Sequence, residues 1–291
     1  MIPAPFDYHP ASSLGEALTL LERYGDDAKV LAGGQSLLPI LKLRLGRAGH
    51  LVDISRIAGL DYIKEDGGFL KIGAATREAE LERSDVVRKK YPILDDTTAV
   101  IADPLVRNRA TVGGNLAHGD PGNDHPATML ALGAQVVASG PKGERTIPID
   151  KFFTGLFATA LAPNEILTEI RVPTPPARSG GAYIKLERKV GDYATAGAAA
   201  QVTLSASGEV ERAGIGLTNL GPTPIEAVEA EKYLKGKKPD DAAISEAAKL
   251  AAKAATPTAD RRGAVDYKRE MARVLTARAL KLAVQRATGR A

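Results

Sequence analysis

Two paired glycines sit at the centre of motifs able to bind an anion. Ala32-Gly33-Gly34-Gln35-Ser36 follows a short apolar stretch, and Thr111-Val112-Gly113-Gly114-Asn115 follows a helical segment. Paired glycines lack Cβ atoms and admit positive φ, so their backbone N–H groups converge on an anion as in a nest. Ser36, Thr111 and Asn115 add side-chain donors. Two such turns facing each other would hold the two phosphates of a dinucleotide from opposite sides. Neither turn is G-x-G-x-x-G or G-x-x-x-x-G-K-[ST], which disfavours a Rossmann fold and a P-loop. An isolated Gly-Gly is ordinarily a tight turn, so the anion reading rests on the pair and its surroundings.

Those surroundings are a polar, glycine-broken loop, His118-Gly119-Asp120-Pro121-Gly122-Asn123-Asp124-His125-Pro126, just before an apolar helix. Two readings of Asp124 stand side by side. It can accept from a ribose hydroxyl, or it can cap a helix that starts near Pro126. His118, Asp120, Asp124 and His125 follow no standard ligand spacing, so no metal is expected.

The elements that must position these residues follow from periodicity. A helix is expected over 13–24, with Ser13 and Glu16 at capping-box spacing and Gly25 as terminator. Strands are expected over 29–32 and 50–54, with a short helix or extended piece over 37–45 between them. Hairpins are expected around Asp66-Gly67-Gly68 and Gly140-Pro141-Lys142-Gly143. Helices are expected over 76–84, 92–101 and 127–132, and an alternating strand over 165–172. A Pro-, Gly- and Ser-rich stretch at 173–181 is the best candidate boundary. Strands over 182–189, 198–205 and 210–217 follow, then helices over 225–234, 240–255 and 265–286. Strands followed by helices imply an α+β domain.

Composition narrows the chemistry further. The chain has 291 residues, no cysteine and no tryptophan. Without cysteine it forms no disulfide, carries no thiolate nucleophile and ligates neither zinc nor an iron–sulfur cluster through sulfur. Charge is uneven: residues 1–175 carry 19 Lys+Arg against 22 Asp+Glu, and residues 176–291 carry 20 against 13. The basic last part is a solvated helical surface or a partner face. Nucleic acid is not expected, because the basic runs lack interleaved aromatics. No signal peptide and no apolar run near ~18 residues is seen, so the expected location is cytoplasmic.

At these residues the chain resembles the medium, FAD-binding subunit of carbon monoxide dehydrogenases in the molybdenum hydroxylase (xanthine dehydrogenase) family. The resemblance runs from end to end. It takes in Pro5-Phe6-Asp7-Tyr8, Ala32 to Ser36 with Leu37-Leu38-Pro39, Ile101-Ala102-Asp103-Pro104, Thr111 to Asn115 and Asp120 to Asp124. It continues through Lys185, Gly191-Asp192-Tyr193-Ala194, Gly216-Leu217-Thr218-Asn219, and Asp260-Arg261-Arg262-Gly263 with Tyr267.

The resemblance implies an α+β chain in two domains. Residues 1–175 would be a two-lobed FAD-binding domain of the vanillyl-alcohol-oxidase/PCMH type, with lobes over about 1–56 and 57–175. Residues 176–291 would be the family's C-terminal α+β domain. It implies that Lys29, Val30, Leu31, Ala32, Gly33, Gly34, Gln35 and Ser36 wrap the pyrophosphate from one side. Thr111, Gly113, Gly114 and Asn115 would hold it from the other. Ile101 would pack near flavin or adenine, Asp124 would bind the cofactor's polar chain, and Leu167 would be an apolar contact. Lys185 would lie near the isoalloxazine ring and Tyr193 would flank it. Read as residues alone, Lys185 is a strand lysine open to solvent and Tyr193 a core aromatic.

The implied activity is electron transfer. Electrons would pass from partner iron–sulfur clusters through FAD to an external acceptor, with no catalytic residue on this chain. The molybdenum cofactor would belong to a large partner subunit and the clusters to a small one, in a dimer of heterotrimers. The complex would be cytoplasmic, with contact to the inner face of the membrane. FAD would be noncovalent, since there is no cysteine to link it and neither His118 nor His125 stands directly after the first glycine motif. The substrate implied is carbon monoxide. The alternatives are the medium subunit of an aldehyde, purine or nicotinate hydroxylase, a self-contained flavin oxidoreductase, or a scaffold that has lost FAD.

Overall fold

A computed structural model of the chain describes residues 1–289. The first lobe runs β1 (Asp7–Pro10), α1 (Leu14–Tyr24), β2 (Ala28–Leu31), α2 (Leu37–Lys42) and β3 (His50–Asp53). Its three strands are parallel in the order β1-β3-β2. The α1 start follows from its cap: Ser13 Oγ accepts the Glu16 N–H at 3.2 Å, and the Glu16 carboxylate returns to the Ser12 N–H and hydroxyl. Gly25, at φ +53°, ends it. Strand β1 is absent from the sequence reading. It is an exposed edge ending in proline, so no apolar alternation marks it.

The second lobe contains β4 (Ile63–Asp66), β5 (Phe69–Gly73), α3 (Glu78–Arg83), α4 (Asp85–Lys90), α5 (Pro92–Ala99), α6 (Pro104–Arg107), α7 (Val112–Ala117) and α8 (Asp124–Leu132). It continues with β6 (Gln135–Gly140), β7 (Gly143–Pro148), the short hairpin β8 (Phe153–Gly155) and β9 (Ala158–Thr159), and β10 (Ile166–Pro173). Five strands make an antiparallel sheet ordered β4-β5-β10-β6-β7. Gly67 and Gly68 sit at φ +60° and +80°, the left-handed pair that a two-residue hairpin turn demands.

The last third contributes β11 (Ser179–Leu186), β12 (Ala196–Leu204), β13 (Val210–Thr218), β14 (Ile225–Glu226), α9 (Val228–Leu234), α10 (Asp241–Ala254) and α11 (Val265–Ala287). The strands form an antiparallel sheet in chain order. The helix expected from residue 225 begins later, because Ile225 and Glu226 pair with Leu217 and Gly216 as an extra strand.

Helix α8 joins the halves. All nine of its residues are buried, as expected of a helix covered on every side. The β6–β10 sheet lies on one side and β13 on the other. Contact with β13 is backbone to backbone: a Cβ on Gly216 would sit 1.9 Å from the Ala127 carbonyl oxygen, and one on Gly214 would sit 2.0 Å from that of Ala131. Helices α9–α11 cover the opposite face of this sheet. Strand β12 is thus packed on both faces, which accounts for the run Ala198-Ala199-Ala200. Arg286 of α11 adds a clamp, donating to both oxygens of Asp96 on α5 and to the Gly181 carbonyl at 2.6–2.9 Å. We expect Gly216→Ala to lower the melting temperature by several degrees, read by calorimetry, because β13 must lift off α8. An unchanged melting temperature would mean the seam yields freely.

Among the described residues no helix is long and apolar enough to cross a membrane.

Candidate functional site

A cleft of about 420 Å³ opens between the two lobes. Its walls are the end of β2 with the loop after it, the 110–118 segment, and Glu165, Ile166 and Leu167 at the start of β10. Lys29, Val30, Ala32, Gly33, Gly34, Gln35, Ser36, Thr111, Gly113, Gly114, Asn115 and Leu167 all line it. A second cavity of about 390 Å³ lies elsewhere between the lobes, by Ser12, Tyr62, Glu169 and Arg171. There Tyr62 and Arg171 both donate to Glu169, and Glu144 accepts from the Ser139 hydroxyl.

The first glycine motif is an open cradle. Among the described residues no protein group accepts the backbone N–H of Gly33, Gly34, Gln35, Ser36 or Leu37. Gly34 is at φ +75°, and Ser36, which stands before α2, makes no capping bond with its side chain. Consecutive free N–H groups beside a left-handed glycine are suited to a diphosphate. Lys29 lies exposed along the same wall. Leu31 does not line the cleft. It packs with Phe6, Leu37 and Leu38 in a small core of the first lobe.

The second glycine motif departs from the expected open turn. Gly113 and Gly114 lie in the first turn of α7, and their donors are already used. Val112 N–H bonds to Thr76 O, Gly113 N–H to Ala74 O, and Gly114 N–H to Thr111 Oγ1. Gly113 is required by proximity, since a Cβ there would meet the Ala74 carbonyl oxygen at 2.6 Å. What this motif turns to the cleft is side chain: Asn115 Oδ1 is buried without a partner, and the Thr111 hydroxyl keeps its own proton to give. Behind it, fully buried Glu78 and His125 bond at 2.8 Å and tie α3 to α8. His118 also lines the cleft, stacked at a tilt 5.1 Å from Phe157. Burial depresses its pKa, against the opposing pull of Asp120.

The remaining expected residues gather in a separate place, the seam between the second lobe and the C-terminal sheet. Asp124 is 4% exposed. It does not cap α8: Asn123 stands at the cap position and Asp124 is the first helical residue. One carboxylate oxygen accepts from the Tyr183 hydroxyl at 2.5 Å and the other from Lys185 Nζ at 2.9 Å. Lys185 also donates to the Val100 carbonyl at 2.9 Å and lies 3.5 Å from Glu187. Its side chain is 2% exposed, so it is neither solvent-facing nor part of the cleft wall. Burial pushes the Asp124 carboxyl above its usual range despite Lys185, and pushes the Tyr183 phenol well above its own. Ile101, next to Val100, is buried. Tyr193 is 46% exposed, 6.0 Å from the Arg262 guanidinium, and is thus not a core aromatic. Arg262 also donates to Asp192, whose carboxyl it holds down at about 2. Asn219, left-handed at φ +58°, bonds the Pro121 and Ala194 carbonyls and closes this loop cluster.

Residues 4–175 match the profile of the FAD binding domain in molybdopterin dehydrogenase, and residues 181–283 that of the CO dehydrogenase flavoprotein C-terminal domain. The chain belongs to the FAD-binding subunits of the molybdenum hydroxylase family. It is 46% identical over 291 residues to the carbon monoxide dehydrogenase medium chain of Afipia carboxidovorans, covering 100% of this chain and 99% of that one. It is 40% identical over 287 residues to the 6-hydroxypseudooxynicotine dehydrogenase complex subunit alpha of Paenarthrobacter nicotinovorans, covering 99% and 97%. Its fold superposes with a TM-score of 0.96 on a carbon monoxide dehydrogenase structure from Hydrogenophaga pseudoflava, at 48% identity, covering 98% of this chain and 99% of that one.

FAD suits the cleft on this chain's own features: a row of free backbone donors for the diphosphate and an orphaned Asn115 oxygen for a hydroxyl or amide. Among the described residues no three or more His, Asp or Glu side chains are arranged to hold a metal.

The partners of the Asp124–Lys185 pair, Tyr183 with Thr218 behind it and the Val100 carbonyl, are not among the residues singled out from sequence. Tyr183 had a signal, since it stands two residues from Lys185 on one strand and therefore on the same face. Val100 had none, because a carbonyl's direction depends on the tertiary fold.

Proposed function

We propose that this chain is the FAD-binding electron-transfer subunit of a carbon monoxide-oxidising molybdenum hydroxylase. The observation that carries the reading is the cradle of unpaired N–H groups at residues 33–37, in a chain alike from end to end to carbon monoxide dehydrogenase medium chains. When bound, FAD supplies a carrier that takes one or two electrons and so links one-electron clusters to a two-electron acceptor. The chain's own residues bind and tune it. The donors at 33–37, with Lys29 at the rim, hold the diphosphate. Thr111 and Asn115 reach the cofactor from the second lobe, while Gly113 and Gly114 allow α7 to approach. Leu167 packs against it. We infer that the cofactor runs from the cleft to the seam, where Asp124 would bind its polar chain, Ile101 would pack near flavin or adenine, Tyr193 would flank the ring, and Lys185 would lie near it as a cation that favours the anionic reduced form.

The domain division we favour is 1–175, with lobes over about 1–56 and 57–175, and 176–291. The chain has no cysteine to hold a cluster, and its likeness to carbon monoxide dehydrogenase medium chains supports a small partner with the clusters and a large one with molybdenum, in a dimer of heterotrimers. Binding of FAD is noncovalent, and the complex is cytoplasmic with contact to the inner membrane face.

Native purification through an affinity tag on this chain tests the reading. We expect two co-purifying subunits, molybdenum, iron and about one flavin per chain, with the flavin released by acid. Carbon monoxide should bleach the flavin absorbance under anaerobic conditions. Bleaching by an aldehyde or an N-heterocycle, with none by carbon monoxide, would transfer the chain to another hydroxylase. A yellow chain without partners would identify a self-contained flavoprotein.

A further inference from the structure

We propose that Tyr183 is a positioning residue of the flavin site, fixing through its hydroxyl the Asp124 carboxylate that in turn holds Lys185. The inference rests on the reading above that the cofactor reaches this seam and that Lys185 lies near the flavin ring. Tyr183 is 5% exposed, and its hydroxyl lies 2.5 Å from Asp124 Oδ1 and 3.0 Å from Thr218 Oγ1. A phenol has one proton to give, and the charged acceptor takes it. Thr218 therefore donates to the phenol oxygen, and the order of donation runs Thr218 to Tyr183 to Asp124. With Oδ1 so engaged, the carboxylate presents Oδ2 to Lys185 at 2.9 Å.

A second feature shows that space is reserved for this hydroxyl. Gly197 lies on β12, opposite Lys185 in the strand register. A Cβ at Gly197 would come 2.5 Å from the Tyr183 oxygen. Alanine occupies the next three positions of this strand, yet the residue beneath the phenol has no side chain at all.

The consequence is electrostatic. Removing the hydroxyl leaves Asp124 Oδ1 buried without a donor, which disfavours the carboxylate form. A carboxyl that rotates or takes up a proton compensates Lys185 less. The freed positive charge then stabilises the anionic reduced flavin, and the flavin becomes easier to reduce.

The experiment uses the assembled, FAD-loaded complex and potentiometric titration followed at the flavin absorbance. Tyr183→Phe should keep its flavin and raise the midpoint potential relative to the parent, while Lys185→Met lowers it. Gly197→Ala, which pushes the hydroxyl off its seat, should shift the potential in the same direction as Tyr183→Phe. It should add nothing in the Tyr183→Phe background. A shift with Lys185→Met but none with Tyr183→Phe overturns the positioning role alone. No shift with Lys185→Met overturns the flavin-facing reading and the proposal with it. Should Tyr183→Phe fail to assemble, Thr218→Val and Gly197→Ala carry the same readings.

Discussion

Gly33→Ala is expected to give a chain that holds no FAD and unfolds at markedly lower urea. The cause is the other lobe. A Cβ at Gly33 would lie 2.2 Å from the Arg109 carbonyl oxygen and 2.8 Å from the Ala110 Cα. Both are backbone atoms, so no rotamer change relieves the clash. The 109–110 segment is also pinned, since Ala110 O accepts the Glu78 N–H at 2.9 Å and Arg77 bridges to Thr111. Either the lobes part or the second motif moves with its anchors. Overpacking of this kind costs up to ~3 kcal/mol or more, a large share of a typical domain's stability. Gly34→Ala is the contrast. Its φ of +75° imposes ~1–2 kcal/mol of strain, but its Cβ would meet only the ends of Leu38 and Leu31, at 2.9 and 3.2 Å, and these can shift. Gly34→Ala should therefore be the milder change in stability while still distorting the N–H cradle. Urea midpoints and flavin-to-protein ratios for both variants decide the matter. Equal midpoints would sink the inter-lobe account.

Lys185→Met should destabilise the apo-chain by about 3–5 kcal/mol at neutral pH, because it strands Asp124 as an unpaired buried carboxylate. The pH dependence gives the signature. Burial already holds the Asp124 pKa above its ordinary value. A carboxyl raised on folding contributes stability below the ordinary carboxylate range and loses it as pH rises through the folded-state value. Losing Lys185 pushes Asp124 further the same way. The variant's deficit should therefore shrink as the pH is lowered and Asp124 takes up a proton. Parallel urea titrations across the acid range check this, and a deficit independent of pH would assign the loss to packing of the lysine stem.

Some of this was legible without coordinates. The helix at α1, both glycine hairpins, the strands of the last sheet and the long final helix follow from caps, turns and periodicity, all set by neighbours along the chain. The positive φ expected at the first glycine motif was legible for the same reason, since Gly34's left-handed conformation is a local property. The second motif was not an open turn, since the acceptors that consume its N–H groups come from Ala74 and Thr76, more than thirty residues earlier.

Asp124 illustrates the limit most clearly. From sequence it is a helix cap or a ligand to a sugar hydroxyl. In the fold the cap is Asn123, and both Asp124 oxygens are occupied by residues some sixty positions away. Lys185 looked like a strand lysine open to water and is 2% exposed. Alternation predicts which residues share a face. It does not say what covers that face, and here α8 covers it.

By itself the sequence determined the family and, through that resemblance, the cofactor class, and its lack of cysteine kept thiolate-held clusters off this chain. The resemblance depends on residue types at set spacings along the chain. Only the tertiary structure decided which glycine motif keeps its N–H groups free and which spends them on packing. It also decided that the expected site residues fall into an inter-lobe cleft and a separate buried charged seam. Those distinctions depend on backbone groups brought close by strand pairing and by helix α8, and no local pattern records which distant carbonyl or hydroxyl arrives beside a given side chain.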